Sequence, residues 1–272
     1  MRRMLLLLGI LSAFPLLAAD DTPIATILCY HEVDDGEAHE TIPRRSATGS
    51  GESERLRYTA SVENFTAQLD YLQANGYNVI PLAELVDYLA GKTESIPQRA
   101  VVITVDDGWS CAYSRISPEL QKRKMPWTLF VYPKIVGRGS HAVTWDEVSA
   151  LAKEGVDVES HSFTHPFLTE LSDDLLHHEL DDSRATLQKS TNEPVRFFSY
   201  PYGAFNDAII AAAKNSGYMA ALTTQRGPIT CASDPMKLDR YLIHGDTTLD
   251  EFKTFLLTPA ASPQNGAATT LE

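Results

Sequence analysis

Short apolar runs rich in β-branched and aromatic residues alternate along this chain with longer stretches in which apolar positions recur every three or four residues. The short runs predict strands over 25–30, 77–80, 100–105, 127–132, 156–159, 195–200, 218–222 and 240–243. The amphipathic stretches predict helices over 62–75, 82–89, 118–124, 173–189, 207–215 and 249–257. In the first helix Phe65, Leu69 and Leu72 share one face, and Gly76 follows as a C-terminal stop. Thr144 and Glu147, three apart, form a capping box that opens a further helix ending before Gly155. Strand and helix alternating over about 230 residues imply a parallel sheet in a single α/β domain. Seven or eight strands at this length predict a distorted (β/α) barrel, with a doubly wound open sheet as the alternative.

The pattern fails in three places, which bounds the domain at 20–258. Residues 1–19 carry two arginines, a leucine-rich run too short to span a bilayer, and the small residues Ala18 and Ala19. That combination predicts a signal peptide and export to the periplasm or the outside of the cell. No other run approaches the length of a membrane helix, so the mature protein is expected to have no integral membrane segment. Residues 34–57, polar and rich in Gly, Ser and charge, predict a long flexible loop. Residues 259–272 lack apolar periodicity and predict a disordered tail.

Composition changes this picture through charge and cysteine. The formal charge of −13 argues against nucleic acid or anionic lipid as a partner. The three cysteines, Cys29, Cys111 and Cys231, lie far apart and in no paired zinc-ligand spacing, which argues against a thiolate metal site. Their spacing leaves open whether two of them pair, and no pattern specifies an oligomeric state.

In a parallel barrel the side chains available for chemistry stand at the C-terminal strand ends. The strand over 100–105 runs into Asp106, Asp107 and Gly108, and the strand over 156–159 runs into His161, with His165 four residues later. Pro201, Tyr202 and Gly203 follow another strand, His31 the first and His244 the last. An Asp-Asp-Gly is often only a turn, and a lone His pair arises by chance. Here both follow β-type runs, so they share one rim. Two imidazoles and one carboxylate suit Zn²⁺ or another divalent ion such as Co²⁺, Ni²⁺ or Fe²⁺, and they leave coordination positions open, as a catalytic site requires. His161, His165 and one of the adjacent Asp106 and Asp107 are the ligand candidates, and the other carboxylate is left free to accept a proton.

Three motifs, TVDDG at 104–108, HSFTH at 161–165 and SYPYG at 199–203, resemble those of the polysaccharide deacetylases of carbohydrate esterase family 4, which share the NodB homology domain. The likeness covers about residues 58–257, and the YHEV after the first strand is most similar to the biofilm poly-N-acetylglucosamine deacetylase branch. The resemblance implies Asp106 as general base, Asp107, His161 and His165 as metal ligands, and Pro201 as shaper of a turn whose Tyr202 backbone N–H faces the oxyanion. It further implies a late Leu-x-His acid. LIH at 242–244 supplies His244 for that role, although Gly245 intervenes before Asp246, and His31 is the reserve acid or a sugar-lining residue.

Where the family often has an arginine that orients the base, this chain has Ser199; Arg240 could reach the same pocket from a neighbouring strand end. The family's Trp-bearing fourth motif has no counterpart after Gly217. Trp109 and Tyr202 are candidates for stacking on a sugar. His177, His178, Asp181 and Asp182 read as the solvated face of a charged helix. The implied activity is hydrolysis of N-acetyl groups on an extracytoplasmic N-acetylglucosamine polysaccharide. The alternatives are an O-acetylated polysaccharide or small amide as substrate, or a non-catalytic carbohydrate-binding relative.

Overall fold

The computed structural model describes residues 21–35 and 57–257. The expected signal peptide, nearly all of the expected loop and the expected tail lie outside the described residues.

A parallel sheet forms the centre of the fold. Its strands are β1 (Pro23–Tyr30), β5 (Ala100–Asp107), β6 (Thr128–Val131), β7 (Asp157–Ser160), β8 (Phe197–Ser199) and β9 (Ala220–Leu222), paired in that order. Short pieces complete it. β4 (Asn78–Val79) pairs with the start of β5, β10 (Ile229–Thr230) runs antiparallel to the start of β1, and β11 (Tyr241–Leu242) runs parallel to its end. A separate two-stranded ladder joins β2 (Glu32–Val33) to β3 (Thr59–Ala60). The sheet curls until residues 238–242 span its two ends: Leu238 bridges Leu222 of β9, and β11 pairs with β1. The expected barrel of parallel strands is therefore present, its last side made of a short bridge rather than a full strand.

Period-two alternation sorts the side chains. Ala25, Ile27, Val102, Phe130, Phe197, Ala220 and Leu222 pack as one cluster inside the curl, while Leu28, Val101, Ile103, Val105, Leu129, Val131 and Phe198 join the cluster under the helices. Parallel strands covered on both faces explain why the runs read as continuously apolar. On β5 this register puts Thr104 and Asp106 on the inner face.

The helices are α1 (Val62–Ala74), α2 (Leu82–Leu89), α3 (Ser117–Lys122), α4 (Trp145–Lys153), α5 (Asp173–His177), α6 (Ser183–Thr191), α7 (Asp207–Asn215) and α8 (Leu249–Phe255). Ser61 caps α1, and both halves of the Thr144–Glu147 capping box form at α4. The stretch expected as one helix over 173–189 is instead α5, a π-helical turn over His178–Asp182, and α6. The extra residue in that turn rotates Glu179 inward, and it is buried. A second π turn, Ala112–Ile116, precedes α3. None of the three cysteines forms a disulfide; Cys29 and Cys111 are buried and Cys231 is exposed. No helix among the described residues is long and apolar enough to cross a membrane.

Candidate active site

The C-terminal ends of β5, β7, β8 and β1 converge on one polar centre. β5 continues through both aspartates, two residues beyond the expected strand. Regular alternation would send Asp107 to the outer face. Its φ of 81° turns the chain there instead, and Gly108 follows at φ 93°. A Cβ at Gly108 would lie 2.5 Å from Val131 Cγ2, so the turn requires glycine for space as well as conformation.

As a result, Asp107 Oδ1 lies 3.7 Å from His161 Nε2 and 3.6 Å from His165 Nε2, and the two imidazole nitrogens lie 3.2 Å apart. Ligands about 2.0–2.1 Å from a tetrahedral ion stand about 3.3 Å from one another, so this donor set fits a divalent cation. Neighbours hold each ligand in place. Trp109 Nε1 donates to Asp107 Oδ2 at 2.9 Å, which leaves Oδ1 to the histidines. The Ser199 carbonyl accepts from His161 Nδ1 at 2.7 Å; a carbonyl can only accept, so the lone pair of the neutral ring is on Nε2. The HSFTH loop is strained, with Ser162 at φ 64° and His165 at φ 63°. It is held by Glu179, whose carboxylate accepts the backbone N–H groups of Phe163 and Thr164 at 2.8 and 2.7 Å and the Thr164 hydroxyl at 2.6 Å. Ser183 Oγ donates to the Ser162 carbonyl at 2.8 Å.

Asp106 is buried beside this set, its Oδ2 3.9 Å from His161 Nε2. Arg240, fully buried, meets it with two parallel bonds, Nη1 to Oδ1 at 2.8 Å and Nη2 to Oδ2 at 2.7 Å. Ser199 Oγ donates to Asp106 Oδ2 at 3.0 Å and accepts from Arg240 Nη2 at 2.9 Å. The remaining Arg240 donors go to the Thr223 carbonyl and the Thr104 hydroxyl. Burial pushes the Asp106 carboxyl upward, but the Arg240 guanidinium, by its charge and its hydrogen bonds, outweighs it and holds Asp106 well below the usual carboxylate range.

The histidine candidates separate. A ring nitrogen of His31, Cys29 Sγ and an Asp106 oxygen lie within 4.8 Å of one another, so His31 borders the base. The Tyr58 ring packs near both His31 and His244, with centroids 4.9 and 5.3 Å away. Burial and then the Arg57 charge lower the pKa of His244. His177, His178, Asp181 and Asp182 are exposed, and each histidine pairs with the aspartate four residues on. Trp109 is buried against Asp107, and Pro201 is buried. Tyr202 sits at φ 60° with 46% of its surface open, its ring 4.6 Å from that of His165. Gly203 follows at φ 66°, where a Cβ would collide with Thr224.

Sequence reasoning passed over Glu179, Ser183, Tyr58 and Phe167, and treated Ser199 only as a departure from a motif. Strand alternation places Ser199 on the same inner face as Phe197. No local pattern announces Glu179, because it is one acidic residue among many on a charged helix.

Residues 93–221 match the family profile described as polysaccharide deacetylase. A Bacillus subtilis relative named for that family, YxkH, is 28% identical over 165 residues, covering 61% of this chain and 58% of the relative. The poly-beta-1,6-N-acetyl-D-glucosamine N-deacetylase of Staphylococcus epidermidis is 26% identical over 212 residues, covering 72% of each. Among solved structures, the deacetylase PplD of Streptococcus pyogenes, in complex with acetate, superposes with a TM-score of 0.73 at 24% identity, covering 87% of this chain and all of that one. That likeness is one of fold. The chain thus spans a little over half of the first relative and nearly three quarters of the second.

Proposed function

We propose that this chain, which carries a polysaccharide deacetylase domain, hydrolyses N-acetyl groups on a β-linked N-acetylglucosamine polymer outside the cytoplasm, with a divalent cation held by Asp107, His161 and His165. The observation that carries this reading is the meeting of those three ligands with a buried carboxylate clamped by Arg240. A bound Zn²⁺ or similar ion supplies Lewis acidity toward water and toward the acyl oxygen.

The chain's own residues divide the remaining work. Asp106, ionised under the Arg240 clamp, accepts the proton of the attacking water, and Arg240 and Ser199 fix both of its oxygens in direction. The 201–203 turn borders the ligands, and the Tyr202 backbone N–H donates to the developing oxyanion. An amide leaves only as an amine, so an acid must protonate the nitrogen. His31, with a ring nitrogen within 4.8 Å of an Asp106 oxygen, borders the base, whereas burial and the Arg57 charge lower the pKa of His244 and favour its unprotonated ring. His31 is therefore the acid in this reading.

The test is acetate release from β-linked N-acetylglucosamine oligomers and from acetylated xylan, before and after chelation. Release from the former, lost with chelator and restored by Zn²⁺ or Co²⁺, is expected. Asp106→Asn should abolish release yet retain stoichiometric metal. Release from xylan alone would move the substrate to an O-acetylated polymer, and no release from either would leave a non-catalytic carbohydrate binder.

A further inference from the structure

One donor beside the base has no part in the mechanism above: the thiol of Cys29. β1 and β5 pair in register with Cys29 opposite Thr104, so the alternation that carries Thr104 and Asp106 inward carries Cys29 inward as well. Cys29 Sγ lies 4.0 Å from His31 Nδ1. A ring nitrogen of His31, this sulfur and an Asp106 oxygen all lie within 4.8 Å of one another. Cys29 is fully buried, whereas His31 is half-buried at the rim, so the group is approached from the His31 side. The spacing of the three cysteines argues against a site built from several thiolates; the fold instead sets one thiol against an imidazole.

Geometry and charge both select the ion this group would take. Sulfur at about 2.3 Å and nitrogen at about 2.0 Å from a metal stand about 3.5 Å apart around a tetrahedral ion and about 4.3 Å apart in line with it. The observed 4.0 Å falls between, at an S–metal–N angle of roughly 140°. That is the open, two- or three-coordinate geometry of Cu⁺ rather than the tetrahedral one of Zn²⁺, and a thiolate is the soft donor that Cu⁺ prefers. Charge points the same way. Burial keeps Cys29 a neutral thiol, against the pull of the Arg240 charge. Exchanging the thiol proton for Cu⁺ leaves the net charge of this buried pocket unchanged, whereas Zn²⁺ would add a positive charge beside the fully buried Arg240 guanidinium.

Resting on the deacetylase reading above, we propose that Cys29 and His31 form an inhibitory site for a soft monovalent cation, Cu⁺, beside the base and separate from the Asp107, His161 and His165 set. Binding breaks the Cys29 S–H bond, releases its proton to water and forms Cu–Sγ and Cu–Nδ1 bonds. Copper stays monovalent throughout, so the step needs no oxidant or reductant. The Nδ1 lone pair is then committed to the metal, and the His31 ring can no longer become the imidazolium that an acid requires. Copper in this site therefore stops turnover while the divalent cation stays on its own three ligands.

The experiment reads copper binding apart from turnover. It uses the zinc-loaded protein carrying Cys231→Ser, which removes the exposed thiol. Cu⁺ is delivered without oxygen from a chromophoric chelator, and bound copper, retained zinc and acetate release from β-linked N-acetylglucosamine oligomers are measured on the same samples. One equivalent should bind with a sulfur neighbour by X-ray absorption, and zinc should stay. Acetate release should fall about 100-fold, the contribution of an acid, and return with excess chelator. Adding Cys29→Ser should preserve release in the absence of copper and remove both the binding and the inhibition; Cys29→Ala, checked by zinc content and melting temperature, repeats the test should serine disturb the strand. Copper bound equally without Cys29, copper that displaces the zinc, full release with copper bound, or a loss that chelator does not reverse would overturn the site. Cys29-dependent copper binding together with no acetate release by the unmutated protein would support the site and reject only the deacetylase reading.

Discussion

Replacing Arg240 by methionine tests the electrostatic core of the site. The guanidinium is fully buried and donates to Asp106, Ser199, Thr104 and the Thr223 carbonyl. Methionine preserves much of the volume but leaves a buried carboxylate whose remaining support is the Ser199 hydroxyl and the flanking imidazoles. Breaking a buried pair in this one-sided way costs about 3–5 kcal/mol, or on the order of 10 °C in melting temperature for a domain of this size.

The loss should depend on pH, and its sign follows from Asp106. In the unmutated protein the folded-state pKa lies below the unfolded value, so the pair contributes stability above about pH 4 that fades only as pH falls toward the folded pKa. Without Arg240, burial dominates and the folded pKa rises; the variant then loses stability as pH climbs through it. Urea unfolding of the chelated proteins from pH 4 to 8 should show the two converging in acid and separating toward neutrality. Asp106→Asn/Arg240→Met should be more stable at pH 7 than Arg240→Met alone. A loss of the same size at every pH, or strictly additive double-mutant values, would refute the reasoning and reduce Arg240 to a packing residue.

Two more predictions concern the supports of the site. Glu179→Ala leaves the Phe163 and Thr164 N–H groups without their acceptor, which should cost about 1–3 kcal/mol and weaken zinc affinity roughly 10- to 100-fold; competition with a chromophoric chelator measures this, and unchanged affinity would mean the loop holds itself. Glu159, fully buried between β7 and β8, accepts the N–H groups of Arg196 and Phe197, and burial beside Asp157 raises its pKa well above the usual carboxylate value. A raised folded-state pKa means that stability is lost as pH rises through it, so Glu159→Gln, which keeps the carbonyl acceptor, should melt progressively higher than the parent from pH 5 to 9, whereas parallel melting curves would refute that assignment.

Much of this molecule was legible along the chain because its determinants are local. Strand periodicity, the Thr144–Glu147 box and the stop at Gly76 depend on residues a few positions apart, and they placed the parallel strands and most helices. The candidates Asp106, Asp107, His161 and His165 could be picked out because a parallel barrel brings all of its strand ends to one rim. Asp107 was told apart from Asp106 as the ligand candidate only through the motif resemblance, since alternation alone points it outward; the positive φ that reverses it is a property of the folded turn.

The tertiary structure decided the rest. Arg240 clamps Asp106 across 134 residues of chain, and Ser199 occupies the space between them, a juxtaposition created by closing the sheet at 238–242. The approach of a His31 ring nitrogen to within 4.8 Å of an Asp106 oxygen joins the ends of two strands that are distant in sequence. The π turn that splits the expected helix rotates Glu179 onto the HSFTH loop, and one inserted residue in a helix leaves no periodic trace strong enough to read. Sequence by itself determined which chemical groups reach the rim, because pattern and strand polarity are one-dimensional; which of them act together was decided by sheet curvature and buried electrostatics, which exist only once distant segments are in contact.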